Sequence, residues 1–183
     1  KTAYKVEHYQ QDVSGSGYTL KDTDNLTGTT ATAATASAKS YTGFTENTSH
    51  GSRVASGTIA ADGSLVLKLY YDRNSYTVTF DANGGGTPSP ASKVVTYDGA
   101  YGELAAVTRV DYNLKGWFTA ESGGVEITNA TIVKATSDQT LYAQWEKKIE
   151  LTITANSDSK VYDGTELTNA GWELTSGTLA TGD

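Results

Sequence analysis

The chain has 183 residues, a formal net charge of −7 and a pI near 4.8. This acidic balance, with Lys and Arg scattered rather than clustered, disfavours a phosphate backbone as partner. Cysteine is absent, which excludes disulfides, thiolate metal sites and a cysteine nucleophile, and no apolar run reaches the ~18 residues of a membrane span.

Only 37% of residues are hydrophobic, yet they include 12 Tyr and 3 Trp. That mixture suits thin β layers with aromatic cores better than a thick α/β core. With 19 Gly and 2 Pro, turns fall to Gly, Asn and Asp. The aromatic content and the alternating strands argue against disorder.

In chain order, Ala3 to Tyr9 alternates with period two. Tyr4, Val6 and His8 share one face, and Ala3, Lys5, Glu7 and Tyr9 the other. Asp12 to Gly17 predicts a turn and Tyr18 to Lys21 the returning arm of a hairpin. Thr30 to Lys39, rich in Ala and Thr, is the expected short helix, with Ala favouring it and Thr opposing it. Ser64 to Tyr71 predicts a strong strand after Asp62-Gly63, a pair suited to a two-residue hairpin turn.

An internal repeat follows. Gly43-Phe44-Thr45 parallels Gly116-Trp117-Phe118-Thr119, Thr58-Ile59 parallels Thr131-Ile132, and Asp62 to Leu65 parallels Asp138 to Leu141. The units Tyr4–Tyr71 and Tyr76–Trp145 each end in an aromatic strand. The junction Asp72-Arg73-Asn74-Ser75 contains neither Pro nor a Gly-Ser run. It predicts restricted hinge motion and a semi-rigid rod. Beyond the polar break Glu146-Lys147-Lys148, Ile149 to Thr154 predicts a strand and Asp163-Gly164 a turn. Residues up to Asp183 are expected to form the front of a third, truncated module with exposed edges, prone to disorder or to pairing with a second copy. Lys1 is not a natural start, so the chain is expected to be a fragment whose export signal or anchor lies elsewhere.

Three stretches in the second unit are Val78-Thr79-Phe80-Asp81-Ala82-Asn83-Gly84-Gly85, Gly116-Trp117-Phe118 and Thr140-Leu141-Tyr142-Ala143-Gln144-Trp145. On these, segment 76–145 resembles the Listeria–Bacteroides repeat, or internalin B-repeat. The resemblance implies a β-grasp, ubiquitin-like fold in exported bacterial surface proteins. Gly86, the Thr87-Pro88-Ser89-Pro90 stretch and Leu104, standing where the family often has Pro, are departures in loops. Segment 1–74, with Tyr4 to Tyr9, Gly43-Phe44-Thr45 and Leu67 to Tyr71, is similar to mucin-binding-type repeats. Segment 149–183, through Lys160 to Thr165 and Gly177 to Asp183, is similar to the start of a mostly-β, Gly-rich surface module. The fold expectation is therefore mainly β with little helix, as tandem modules over 1–74, 75–147 and 148–183.

Few residues invite a chemical reading. His8 and His50 are the only histidines. His50 has Ser49 and Ser52 nearby, but no Gly-x-Ser-x-Gly elbow exists, so a polar loop is the expectation. His8 is expected as a packed or hydrogen-bonded sheet histidine. Asp22 to Gly28 offers carboxylates at alternate positions, as calcium loops do, without the later bidentate Glu; a structural turn is preferred. Gly84-Gly85-Gly86 lacks a following Lys-Ser/Thr and reads as a hairpin or bulge turn rather than a phosphate cradle. Trp117, Tyr142 and Trp145 are expected in the core, and Tyr9, Tyr18, Tyr41 and Tyr112 as exposed contacts. A Lys–Asn isopeptide bond is conceivable in such a Cys-free domain, but the sequence places no triad for it.

The resemblances carry no catalytic residues to this chain. They imply non-enzymatic stalk or adhesion modules of a Gram-positive cell-surface protein, extracellular and wall-anchored through a region outside this segment. The modules act as a semi-rigid spacer or as repeated weak adhesive units. The alternative is direct mucin or glycan binding through residues 1–74. Expected partners are host mucin, glycan or extracellular protein and further modules of the same chain, with no nucleic acid, cofactor, metal or membrane insertion; the ligand-binding residues stay unassigned.

Overall fold

The computed structural model describes residues 1–150, 152–168 and 171–176, which hold thirteen strands and no helix. The first unit runs β1 (Thr2–Gln11), β2 (Tyr18–Gly28), β3 (Ala33–Thr35), β4 (Phe44–Glu46), β5 (Ser56–Thr58) and β6 (Val66–Arg73). Its main sheet has the order β2-β1-β6-β4. β1 and β2 form the predicted hairpin, β6 lies parallel to β1, and β4 runs antiparallel to β6. The alternation read in the sequence holds, with Val6 and His8 buried on one face of β1. Leu67, Leu69 and Tyr71 of β6 join Val6 in the core, capped by Ala34 and Ile59. Ala34 lies on β3, and Ile59 directly follows β5 and bonds back to Thr32 ahead of β3, so both come from the small β3–β5 layer.

Three expectations in this unit are corrected. The helix over Thr30 to Lys39 is instead a loop and β3, paired with β5 from Ala33↔Thr58 to Thr35↔Ser56. A ten-residue Ala/Thr segment cannot meet the cost of helix nucleation alone, and its β-branched Thr residues favour extension. Asp22 to Gly28 is neither a turn nor a cation loop. It is the outer half of β2, where Asp22 pairs with His8 and Asp24 with Val6. Asp62-Gly63 does turn, with Gly63 at φ 75 and its N–H donating to the Ala60 carbonyl at 3.0 Å. It joins β5 to β6, which lie in different sheets, so it closes no hairpin.

The second unit repeats this wiring with β7 (Ser75–Asp81), β8 (Ser92–Thr96), β9 (Tyr112–Phe118), β10 (Glu126–Ile127) and β11 (Gln139–Lys147). The order is β10-β9-β11-β7-β8, with β7–β8 a hairpin and β11 parallel to β7. Gly84 to Gly86 lies in the loop joining that hairpin, which turns by a bond from Gly85 N–H to the Ala82 carbonyl at 2.9 Å. Trp117 is buried in the core, and its Nε1–H donates to the Ala105 carbonyl at 2.9 Å. Trp145 sits at the rim of that core and donates to the Ala82 carbonyl at 3.0 Å. Tyr142 does not join them. Leu141 and Ala143 face inward, so the period of two turns the residue between them to the opposite face.

The cover layer repeats too, in a register the sequence matches misplace. Ala31 and Asp98, both at φ 60, donate their N–H to the carbonyls of Ile59 and Val133. Ile59 and Val133 return bonds to Thr32 and Gly99. Ile59 therefore corresponds to Val133, fully buried, and not to Ile132, which is 47% exposed. Beyond the second unit, β12 (Thr152–Ala155) and β13 (Trp172–Ser176) form an antiparallel pair. The predicted turn at Asp163-Gly164 forms, with Thr165 N–H donating to the Asp163 carboxylate at 3.0 Å and Gly164 at φ 77. The stretch 177–183 lies outside the described residues.

Candidate functional site

Three polar or aromatic clusters stand out among the described residues: one inside the first unit, one on its outer face, and one at the junction. Inside, His8 is wholly buried. Its Nδ1 lies 2.9 Å from the Tyr71 hydroxyl and its Nε2 3.2 Å from Asp24. A proton on Nε2 satisfies every partner: Nε2–H donates to Asp24, and Tyr71 donates to Nδ1 while accepting from the Lys39 N–H at 2.9 Å. Lys39 Nζ donates to Asp24 at 2.7 Å, and the Tyr41 hydroxyl donates to Asp22 at 2.6 Å. The Lys39 bond holds the Asp24 carboxyl below its usual range and, reciprocally, raises the ammonium's pKa. A protonated Lys39 facing two aspartates is an ion-paired strut, with no lone pair to attack an amide. The alternating aspartates read as a calcium candidate are engaged by this network.

On the outer face, Tyr70 is sandwiched between Tyr9 (ring centroids 5.0 Å apart) and His50 (3.8 Å), and Tyr18 meets both Tyr70 and His50 edge-on. Tyr9 donates to Glu7 at 2.6 Å, and that bond pushes its pKa up to about 12. Tyr18 donates to Asp72; burial first, and that bond second, raise its pKa. The Ser49 hydroxyl donates to Asn47 and the Ser52 N–H to His50 Nδ1, so neither serine hydroxyl is bonded to the imidazole. Tyr9, Tyr18 and Tyr41 are thus half-buried structural members rather than free contacts, and Tyr112 is half-buried under the Arg109 guanidinium, 4.0 Å from its ring.

The junction is the most built of the three. β6 ends at Arg73 and β7 begins at Ser75, leaving Asn74 alone between the two sheets. Asn74 N–H donates to the Gly43 carbonyl and Asn74 O accepts from Tyr97 N–H, both at 2.9 Å. Arg73 spans the units. Its Nε donates to the Gln11 carbonyl at 2.7 Å, and its Nη1 to the Tyr97 carbonyl and to Asp98, both at 3.1 Å. The guanidinium also lies 4.8 Å from the Phe44 ring centroid. Lys134 closes the far side of Asp98. Gly43, at φ 78, takes the Tyr97 ring so closely that a Cβ would lie 2.2 Å from it.

Burial of Asp98 opposes its ionisation, but the bonds from Lys134 and Arg73 outweigh that and leave its carboxyl below the ordinary 3.8. A depressed folded-state pKa contributes stability that is present above the unfolded value and lost as pH falls through the folded one. The expected result is a junction unchanged from pH 7 to about 5 and loosening below the ordinary aspartate range. Energy transfer between labels on the two units would follow it. Asp98→Asn should be looser at neutral pH and lose this acid response.

With the geometry in view, the likenesses to known proteins are informative. A Listeria-Bacteroides repeat domain is present over residues 76–144, the span of the second sheet. Internalin H of Listeria monocytogenes serovar 1/2a (strain ATCC BAA-679 / EGD-e) is 36% identical to this chain over 83 residues. That match covers 45% of this chain and 14% of Internalin H, so the chain spans a small part of that relative's length.

Proposed function

We propose that residues 1–147 are two β-grasp-like modules acting as a semi-rigid spacer in a bacterial cell-surface protein. The order β2-β1-β6-β4, with the module's first and last strands parallel and central, supports the β-grasp-like reading, an extended crossover standing where a helix would lie. The observation that carries the spacer reading is the Arg73 clamp over a single-residue link. A link of one residue bonded on both sides leaves few free torsions, and the cross-unit contacts oppose those that remain. Wall anchoring and the third module at 148–183 belong to the same proposal.

Small-angle scattering of the whole chain tests it. The expected profile fits with residues 1–147 held in one fixed arrangement, and Arg73→Ala should require several arrangements while leaving both modules folded. A wild-type profile that needs freely reorienting modules sinks the spacer. Direct mucin or glycan binding through residues 1–74 remains the alternative role, and the ring cluster around Tyr70 is the place to test it. Saturable glycan binding lost on Tyr9→Ala would favour it.

A further inference from the structure

We infer that each large sheet is a shear clamp, so that this segment carries tension along the chain as well as holding its shape. The inference deepens the spacer reading, which it needs only for the source of the tension. In the first module the chain enters at the start of β1 and leaves at the end of β6. These two strands are neighbours, parallel, and central in the sheet. Pulling the chain ends apart drives them past each other along their own axes. All six facing pairs, from Lys5↔Val66 to Gln10↔Tyr71, then bear load together instead of opening one after another.

Yielding is further resisted by register. A slip of one residue, about 3.3 Å, would turn Val6 and His8 away from the core side. They now lie opposite Leu67 and Leu69, and an inward-facing register, with different partners, returns only after a slip of two. The barrier therefore includes breaking the core and the His8 network before any new pairing forms.

The second module repeats the arrangement with β7 against β11, paired from Gln139↔Val78 to Tyr142↔Asp81. Two side chains lengthen this seam beyond the strand pairs. Asn83 Nδ2 donates to the Ala143 carbonyl at 2.9 Å, and Trp145 Nε1 reaches back to the Ala82 carbonyl at 3.0 Å. With only Asn74 between β6 and β7, the two seams are in series with almost no slack. Resistance of this kind is a rate property, set by the unfolding barrier rather than by equilibrium stability.

Single-molecule pulling tests this directly, because a cysteine-free chain lets two introduced cysteines define the line of force. Lys1→Cys with Lys148→Cys loads both seams in shear. Lys1→Cys with Thr29→Cys unzips the antiparallel β1–β2 pair, and Val110→Cys with Lys148→Cys unzips β9 from β11. All four positions are exposed, and the two unzipping pairs are independent should one fail to fold. The expected result is two rupture events in shear, each releasing up to about 240 Å of chain, at forces several-fold above either unzipping pair. Equal forces in the three geometries overturn the clamp. Modules that reorient freely in scattering yet resist shear would remove the rigid spacer and leave the clamp standing.

Discussion

Trp117→Ala is expected to cost the second module about 3–5 kcal/mol, a large share of the total stability of a domain of this size. The indole packs edge-on against Phe80 at 4.8 Å and is 2% exposed. It also supplies the hydrogen bond that holds the Ala105 carbonyl, and with it the crossover between β8 and β9. Alanine leaves a cavity and, separately, a buried carbonyl without that donor. Trp117→Phe restores most of the volume and none of the hydrogen bond, so its loss should be clearly smaller. Hydrogen exchange resolved along the chain checks the result. Amides of β7, β9 and β11 should lose protection while those of β1 and β6 keep most of theirs. Equal loss in both modules would show one cooperative core and contradict the two separate clusters. A negligible loss would contradict the packing itself.

Gly43→Ala is expected to cost about 2–5 kcal/mol and to uncouple the modules. Two causes contribute. A left-handed φ of 78 strains any residue with a Cβ by about 1–2 kcal/mol. The added methyl would also stand 2.2 Å from the Tyr97 ring, and relieving such overlap adds about 1–3 kcal/mol. Gly15 separates the causes. It has the same φ of 78, and a methyl added there would have nothing within 4 Å, so Gly15→Ala carries the backbone strain alone. Tyr97 contributes both its ring against Gly43 and its carbonyl to Arg73. Displacing it should loosen the junction as well as lower the melting temperature. Thermal unfolding and scattering of both variants check this. If Gly15→Ala matches Gly43→Ala in both measurements, the Tyr97 contact carries no weight.

Much of the strand content was legible because burial leaves a period of two. Tyr4-Lys5-Val6-Glu7-His8-Tyr9 and Leu67 to Tyr71 are strands whose faces can be read directly. His8 could be expected as a packed sheet residue from that same alternation. Its partners could not, because Asp24 is 16 residues away and Tyr71 is 63. Thr30 to Lys39 misled because local propensity was ambiguous and pairing with β5 decided it. The Thr-Ile matches misled because identity was aligned where burial is the quantity the two units share, at Ile59 and Val133. The Tyr18 and Tyr41 hydroxyls looked available until the fold brought Asp72 and Asp22 to them, whereas Tyr9 bonds Glu7, its neighbour on the same face of β1.

By itself the sequence determined that this is a β-rich chain of repeated units, one of them a Listeria-Bacteroides repeat, joined by a short link. These follow from composition, alternation and local motifs, which act over a few residues. Only the tertiary structure decided how the units are joined and loaded. Gly43, Arg73, Tyr97, Asp98 and Lys134 come together from separate loops and strand ends, and β1 meets β6 across more than fifty residues of intervening chain. Long-range contacts of this kind leave no periodic trace, because each partner obeys the pattern of its own strand or turn.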